Sequence, residues 1–373
     1  KKFNCEFELI DLGWKDYEAK LMQRLLAGDS KNEIWTMHNV FFYPLVSKGA
    51  ILSAEEILPI EYYQEVYNKP EANLFEYQGK RFSIIDPMTE LGWFAFVMWN
   101  KQLFEEEGLP NLYDVYFSGN WTWKKCEEIA RQFTKDVNND NLNEQFGISY
   151  LYSQPSLLAM SNGAMPTVME DGKVVFNMDS PKYLEALSTI YKWTQIEKIA
   201  LGRGARNLFY NGKIAMYFRS GNIIQKGARA KEGMEDEFGI VPLPKGPSAD
   251  EMIHPMFNAT SAVIPSNAEN AKAMAVMRYY FESEAIDLGL SQQERMIQEV
   301  AQSVYDEKSL QILMEQFENW KGTYHPFGGI TESHKMRQEF LLRAMRDRES
   351  PAAVMKEMKP VVQAKLDDLL GQN

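Results

Sequence analysis

Short runs of β-prone residues alternate with amphipathic helices along most of this chain, and that alternation leaves few folds open. Phe82–Ile85, Phe146–Tyr150, Ile214–Phe218, Phe238–Val241 and Ala262–Ile264 read as strands. Between them lie helical patterns with their own start signals. Thr122 precedes Trp123, Cys126, Ile129, Ala130 and Phe133, an N-cap followed by one apolar face. Ser180-Pro181 opens a second helix carrying Leu184, Leu187, Ile190 and Tyr191, with proline at the first helical position, where no N–H is needed. Ser266-Asn267-Ala268-Glu269 reads as a capping box opening a helix through Tyr280 and Phe281. Ser350-Pro351 begins the last helix, with Val354, Met358, Val361, Leu366 and Leu369 along one side. Near the start, Phe3, Cys5, Phe7 and Leu9 alternate with polar residues as in a half-buried strand. Tyr17, Leu21, Met22, Leu25 and Leu26 then recur at helical spacing until Gly28. The pattern predicts an α/β fold on largely parallel sheets.

At 373 residues the chain exceeds one ordinary core and suits two such lobes. No internal repeat, low-complexity tract or flexible linker separates them. The crossings between lobes are therefore expected to belong to the fold itself, as in hinge-bending proteins.

Charge removes one class of partner. With 52 acidic against 40 basic residues the net charge is −12, the reverse of the basic surface that binds nucleic acid. The opening Lys1-Lys2-Phe3-Asn4 is not a signal peptide, and the apolar run Leu91–Trp99 falls well short of the roughly 20 residues that span a bilayer. The sequence reads as soluble, with any export signal or lipid anchor lying outside it. Cys5 and Cys126 are far apart, and Cys126 sits on an apolar helix face, as a small buried hydrophobe would.

Four segments, taken in order, resemble the extracellular solute-binding proteins of the sugar-binding type, the ABC-transporter family that includes maltose-binding protein. The first is Gly79-Lys80-Arg81-Phe82 with, further on, Trp99-Asn100-Lys101-Gln102-Leu103-Phe104-Glu105-Glu106-Glu107-Gly108-Leu109. Trp121-Thr122-Trp123 at a helix start is the second. The third runs from Phe209-Tyr210-Asn211-Gly212-Lys213-Ile214-Ala215-Met216 to Phe238-Gly239-Ile240-Val241-Pro242-Leu243-Pro244-Lys245-Gly246-Pro247. The fourth is the strand-to-helix turn Ala262-Val263-Ile264-Pro265-Ser266-Asn267-Ala268-Glu269-Asn270-Ala271. Residues 1–9 resemble the family's second strand, so its first strand and helix are missing upstream.

The resemblance implies a two-lobed, periplasmic-binding-protein-like α/β fold with the ligand in the cleft between lobes. One lobe would comprise residues 1–105 with 240–300, the other 108–238 with 303–373, crossing near Glu105–Leu109, Phe238–Leu243 and Val300–Asp306. It implies a monomeric, extracytoplasmic receptor, periplasmic or lipid-anchored, that delivers a carbohydrate to ABC permease subunits without catalysis or a required cofactor. A carbohydrate-processing enzyme, or a receptor for a polyamine or peptide, is the alternative.

Saccharide sites combine flat apolar surfaces for the sugar ring with planar polar groups for its hydroxyls. In open α/β folds such groups come from loops at the carboxyl ends of strands. The loops so placed by resemblance supply His38, Asn39, Asp86, Glu90, Trp93, Arg219, Asn222, Asn258, Tyr324 and His325 as candidate ligand contacts. Trp93 also fits a buried role in the run Trp93-Phe94-Ala95-Phe96. Where many relatives carry a stacking Trp after Gly221, this chain has Asn222, which favours hydrogen bonding there.

A second motif spaces oxygen-bearing side chains as calcium loops do: Asp136, Asn138, Asp140, then Leu142, Glu144 and Gln145. Relatives hold structural calcium in a loop of this kind, although Gln145 here replaces a carboxylate and an Asx-rich turn is the plain alternative. Enzyme signatures are weak. His38, His254, His325 and His334 show no metal-ligand spacing, Gly202-Arg203-Gly204 lacks the rest of a phosphate loop, and paired glycosidase carboxylates are not legible in sequence.

Overall fold

A computed structural model of the chain describes residues 5–67, 74–85, 94–136, 143–149, 155–201, 205–221, 223–256, 259–284, 292–323 and 349–372, with the single positions 327, 330, 339 and 343. Its centre is a five-stranded sheet in the order Phe238–Pro242, Ala95–Asn100, Ile214–Ser220, Phe146–Ser149, Ala200–Leu201. The first two pairings are antiparallel and the last two parallel, so the sheet is mixed rather than largely parallel as expected. The strand Ala95–Asn100 causes the difference. It runs against both neighbours, and the sequence reading did not assign it because every one of its residues is buried. A strand covered on both faces shows no alternation.

Both faces of that sheet carry a core. Ala95, Val97 and Trp99 pack with Cys126, Ile129, Phe133, Leu187 and Trp193, while Phe96 and Met98 pack with Phe209, Ile240, Val300 and Leu313. Each inward side chain of this kind contributes roughly 1.5–3 kcal/mol by leaving water. A separate core gathers Leu21, Trp35, Phe42, Phe75, Phe94, Met256 and Val263, with a smaller one of Ile57, Ile84, Ala262, Ile264 and Met274 beside it. Here the strands Trp35–His38 and Thr260–Val263 pair antiparallel.

Several helices begin and end where the sequence signals lie. The helix Tyr17–Ala27 stops at Gly28, whose φ of 80° is the left-handed geometry that glycine takes without penalty. Thr122 caps Trp123–Phe133 by accepting from Lys125 N, and Pro181 opens Pro181–Tyr191. Trp123 and Cys126 are buried, as their place on the apolar helix face predicts, and Trp121 is buried beside them.

Other expectations fail for identifiable reasons. Residues 5–9 form no strand, and Leu9 is 98% exposed, since no neighbouring strand offers them hydrogen bonds. Phe82–Ile85 is irregular, held instead by Phe82 N donating to Phe75 O and Ile84 N donating to Ala262 O. The helix expected from Ser266 starts at Ala271, because the preceding turn is pinned from outside. Asn267 bonds Ser30 and the Leu25 carbonyl, and Glu269 pairs with Lys31. In the last helix, Pro351–Leu370, Val354 and Leu366 are buried and Met358 and Leu369 pack against the core as expected, but Val361 is 56% exposed and Met355 and Val362 are buried instead. A hairpin at Thr167–Glu170 and Lys173–Phe176 was not assigned either. Its turn, Asp171-Gly172 with φ of 50° and 77°, is a readable hairpin signal.

Candidate functional site

His38 ends the strand Trp35–His38, and its extended backbone turns directly into the helix Asn39–Val46. Its Nδ1 accepts from Val40 N at 3.2 Å, which caps the helix and puts the ring proton on Nε2. Burial lowers the His38 pKa to about 4, so the imidazole is neutral under ordinary conditions. The Trp14 ring meets His38 edge-on at 4.8 Å and Phe41 at 4.9 Å. Trp14 itself is 61% exposed, so a broad aromatic face stands in solvent beside a buried polar cluster. The sequence reading did not single out Trp14, because it falls in no regular element; an aromatic just ahead of a helix start was the only signal.

Asn39 is almost fully buried, and its N–H donates to Ala259 O at 3.0 Å. Its Oδ1 has no hydrogen-bond partner among the described residues. Such a buried acceptor costs about 1–3 kcal/mol unless something satisfies it.

Backbone contacts reach this corner and the central sheet from either side of residues 257 and 258, which lie outside the described residues. Ala259 touches Asn39, Met256 bridges to Phe94, and Phe94 O accepts from Gly221 N at 3.2 Å. Gly221 has φ of 115°, a conformation suited to glycine, immediately after the strand Ile214–Ser220. Arg219 lies near the end of that strand. Its guanidinium sits 4.9 Å from the Tyr217 ring centroid and donates to Tyr217 Oη at 2.7 Å. Burial raises the Tyr217 pKa, against the opposing influence of Arg219. Neighbouring Ser149, at the end of its own strand and in register with Tyr217, is fully buried, and its Oγ has no partner among the described residues. His38 and Asn39 thus stand at the end of the strand Trp35–His38, and Arg219 near the end of Ile214–Ser220, without a contact between them among the described residues. Asp86, Glu90, Trp93, Asn222, Asn258, Tyr324 and His325 lie outside the described residues.

The oxygen-rich loop is described only at its base. Lys135 and Gln145 pair there as an isolated bridge, with Lys135 N donating to Gln145 O at 3.2 Å. This brings Asp136 and Glu144 to the two ends of a closed loop, while Asn138, Asp140 and Leu142 lie outside the described residues. Among the described residues no group of three or more His, Cys, Asp or Glu side chains could hold a metal ion.

A third polar cluster joins distant segments. Asp306 accepts from Tyr113 Oη and pairs with Lys101, each at 2.7 Å, and Ser309 Oγ accepts from Ile240 N at 3.0 Å. Burial works against the Asp306 carboxylate, yet Lys101, the Ser309 N–H and Tyr113 together hold its pKa below the ordinary value. A pocket of about 830 Å³ opens here, lined by Trp99, Lys101, Leu109, Tyr113 and Asp306 among others.

A search of curated proteins finds no match to this sequence. Solved structures do resemble it. An ABC substrate-binding protein from Listeria monocytogenes in complex with cycloalternan superposes with a TM-score of 0.69 at 18% identity, covering 96% of this chain and 90% of the other. UgpB from Mycobacterium tuberculosis in complex with glycerophosphocholine gives 0.68 at 14% identity, over 98% and 90%. The maltose/maltodextrin-binding domain MalE from Bdellovibrio bacteriovorus bound to maltotriose gives 0.65 at 15% identity, over 96% and 89%. These likenesses establish the two-lobed α/β binding-protein fold. Residues 1–286 match the family model of the bacterial extracellular solute-binding proteins, and the chain belongs to that family.

Proposed function

We propose that this protein is the receptor of an ABC importer that captures a carbohydrate, an oligosaccharide rather than a single sugar, and hands it to membrane permease subunits. The observation that carries the reading is the exposed Trp14 face set against His38, which is followed in the chain by buried Asn39, whose Oδ1 has no partner among the described residues. An apolar platform beside buried planar polar groups is what a sugar ring and its hydroxyls require. Two of the three structural neighbours hold saccharides, cycloalternan and maltotriose, which supports this reading, while the third holds glycerophosphocholine. Arg219, Asn39 and His38 are the described members of the proposed site, with Asp86, Glu90, Trp93, Asn222, Asn258, Tyr324 and His325 completing it.

The family is one of solute receptors, so the chain is a binding protein rather than an enzyme, and it works outside the cytoplasm. No helix among the described residues is long and apolar enough to cross a membrane. A monomer, free or held by a lipid anchor, fits this role. Capture needs no covalent step: the ligand stabilises a closed arrangement of lobes by binding it better than the open one. The lobes would move about the segments near residues 105–109, 238–243 and 300–306, next to the network of Lys101, Tyr113, Asp306, Ser309 and Ile240. Structural calcium in the loop 136–145, held by oxygens of Asp136, Asn138, Asp140, Leu142, Glu144 and Gln145, belongs to the same proposal and requires no part in sugar binding.

A thermal-shift screen of ligand-stripped protein against mono- and oligosaccharides tests the function. A midpoint that climbs with the concentration of one saccharide, with no product on chromatography, supports it. Turnover of a bound saccharide, or a flat response to all of them, overturns it.

A further inference from the structure

We propose that the captured saccharide is acidic, and that the carboxyl edge of the central sheet around Arg219 holds its oxyanion. The inference rests on the receptor reading above and names its ligand class.

Topology places the groups. The strands Phe146–Ser149, Ala200–Leu201 and Ile214–Ser220 are parallel, so their carboxyl ends share one edge, the edge where open α/β folds bind ligands. Arg206 follows the end of one of these strands and Arg219 lies near the end of another. Lys226 and Arg229 follow on the helix Ile223–Gly233, which begins just past Gly221. Its amino-terminal end, eleven residues from its other terminus inclusive, adds a partial positive charge to the same edge.

The electrostatics are those of a site lacking its counter-charge. Burial first, and then the nearby Arg219, Arg229 and Arg206, lower the pKa of the Lys226 ammonium. No carboxylate pairs with any of the four cations among the described residues, and Arg219 turns to Tyr217 instead. Elsewhere in this chain comparable cations are matched: Arg131 and Lys192 share Glu127 and Glu197. Lys226 and Arg219 are partly buried while Arg206 and Arg229 are exposed, and like charges near the half-buried ammonium are unfavourable until an anion arrives; guanidinium groups bind planar oxyanions in fork geometry. A uronate carboxylate or an ester sulfate or phosphate has the required charge. Polyamines do not, which sets that alternative aside. Ser149 Oγ, fully buried beside Tyr217, has no partner among the described residues.

The test is calorimetric titration of the full chain with di- and trigalacturonate, with the same oligomers as methyl esters, with a sulfated disaccharide and with a sugar phosphate. The esters keep rings and linkage while removing the charge. At least one anionic probe is expected to bind about tenfold or more tighter than its uncharged counterpart, with affinity falling as salt rises. Lys226→Gln and Arg229→Gln should each narrow that preference, with melting midpoints confirming that the variants fold. The carboxylate, sulfate and phosphate arms then identify the oxyanion. Uncharged saccharides binding as tightly as charged ones, or variants that weaken both equally, overturn the inference while leaving the receptor reading intact. No saccharide binding at all overturns both.

Discussion

His38 makes the stability of this protein depend on pH in a way that can be worked out in advance. Its pKa in the folded chain is about 4, against 6.5 when unperturbed, and burial is the cause. The unfolded chain therefore binds the proton more readily, and between those two values acid favours unfolding. The group's contribution is fully present above pH 6.5 and is lost as the pH falls towards 4. Linkage gives a loss of about 2 kcal/mol between pH 7 and pH 5, approaching roughly 3 kcal/mol at lower pH. Replacing His38 by Asn removes the titration but retains a side chain that can cap the helix Asn39–Val46. Thermal or urea unfolding of both proteins at several pH values isolates the effect, because every other titrating group is common to the two. The native protein should lose about 2 kcal/mol relative to His38→Asn from pH 7 to pH 5, a shift of about 2–3 °C for a chain of this size. A difference between the two proteins that stays level across that range would refute the argument that His38 is buried and neutral.

Further outcomes follow from other contacts. Trp14→Ala should hardly alter the melting midpoint, since the ring is 61% exposed, but should weaken saccharide binding by about tenfold or more in titration. Loss of stability without loss of affinity would make Trp14 a packing residue. Thr122→Ala removes the cap on Lys125 N and should cost about 1 kcal/mol in urea unfolding, with Thr122→Ser restoring most of it. Cys126 is buried, and its thiol pKa is raised well above the ordinary value, so a thiol reagent should label Cys5 alone in the native protein and both cysteines after denaturation. Calcium, if it closes the loop 136–145, should raise the melting midpoint reversibly with chelator, and Asp136→Asn should abolish that rise.

The parts of the fold that were legible in sequence are those settled locally. Thr122, Pro181 and Gly28 act on their own backbone, and the helices start and stop there. The strand Ala95–Asn100 was hidden because its pattern is set by cores on both faces, not by alternation. The turn at Ser266 misled because distant partners, Lys31 and Ser30, decide its shape. For the proposed site, chain order and family resemblance offered His38, Asn39 and Arg219 as candidates. They could not reveal Trp14, whose contact with His38 joins an irregular segment to a strand end, or the gathering of Arg206, Lys226 and Arg229, which depends on which strand ends share an edge.

Small-angle X-ray scattering on the ligand-free protein and on the protein saturated with a saccharide found by screening is the most direct test of the account. A two-lobed receptor that closes on its ligand should show a smaller radius of gyration in the saturated sample, with the saccharide recovered unchanged. An unaltered scattering curve at saturation, or recovery of cleaved saccharide, would contradict capture by lobe closure.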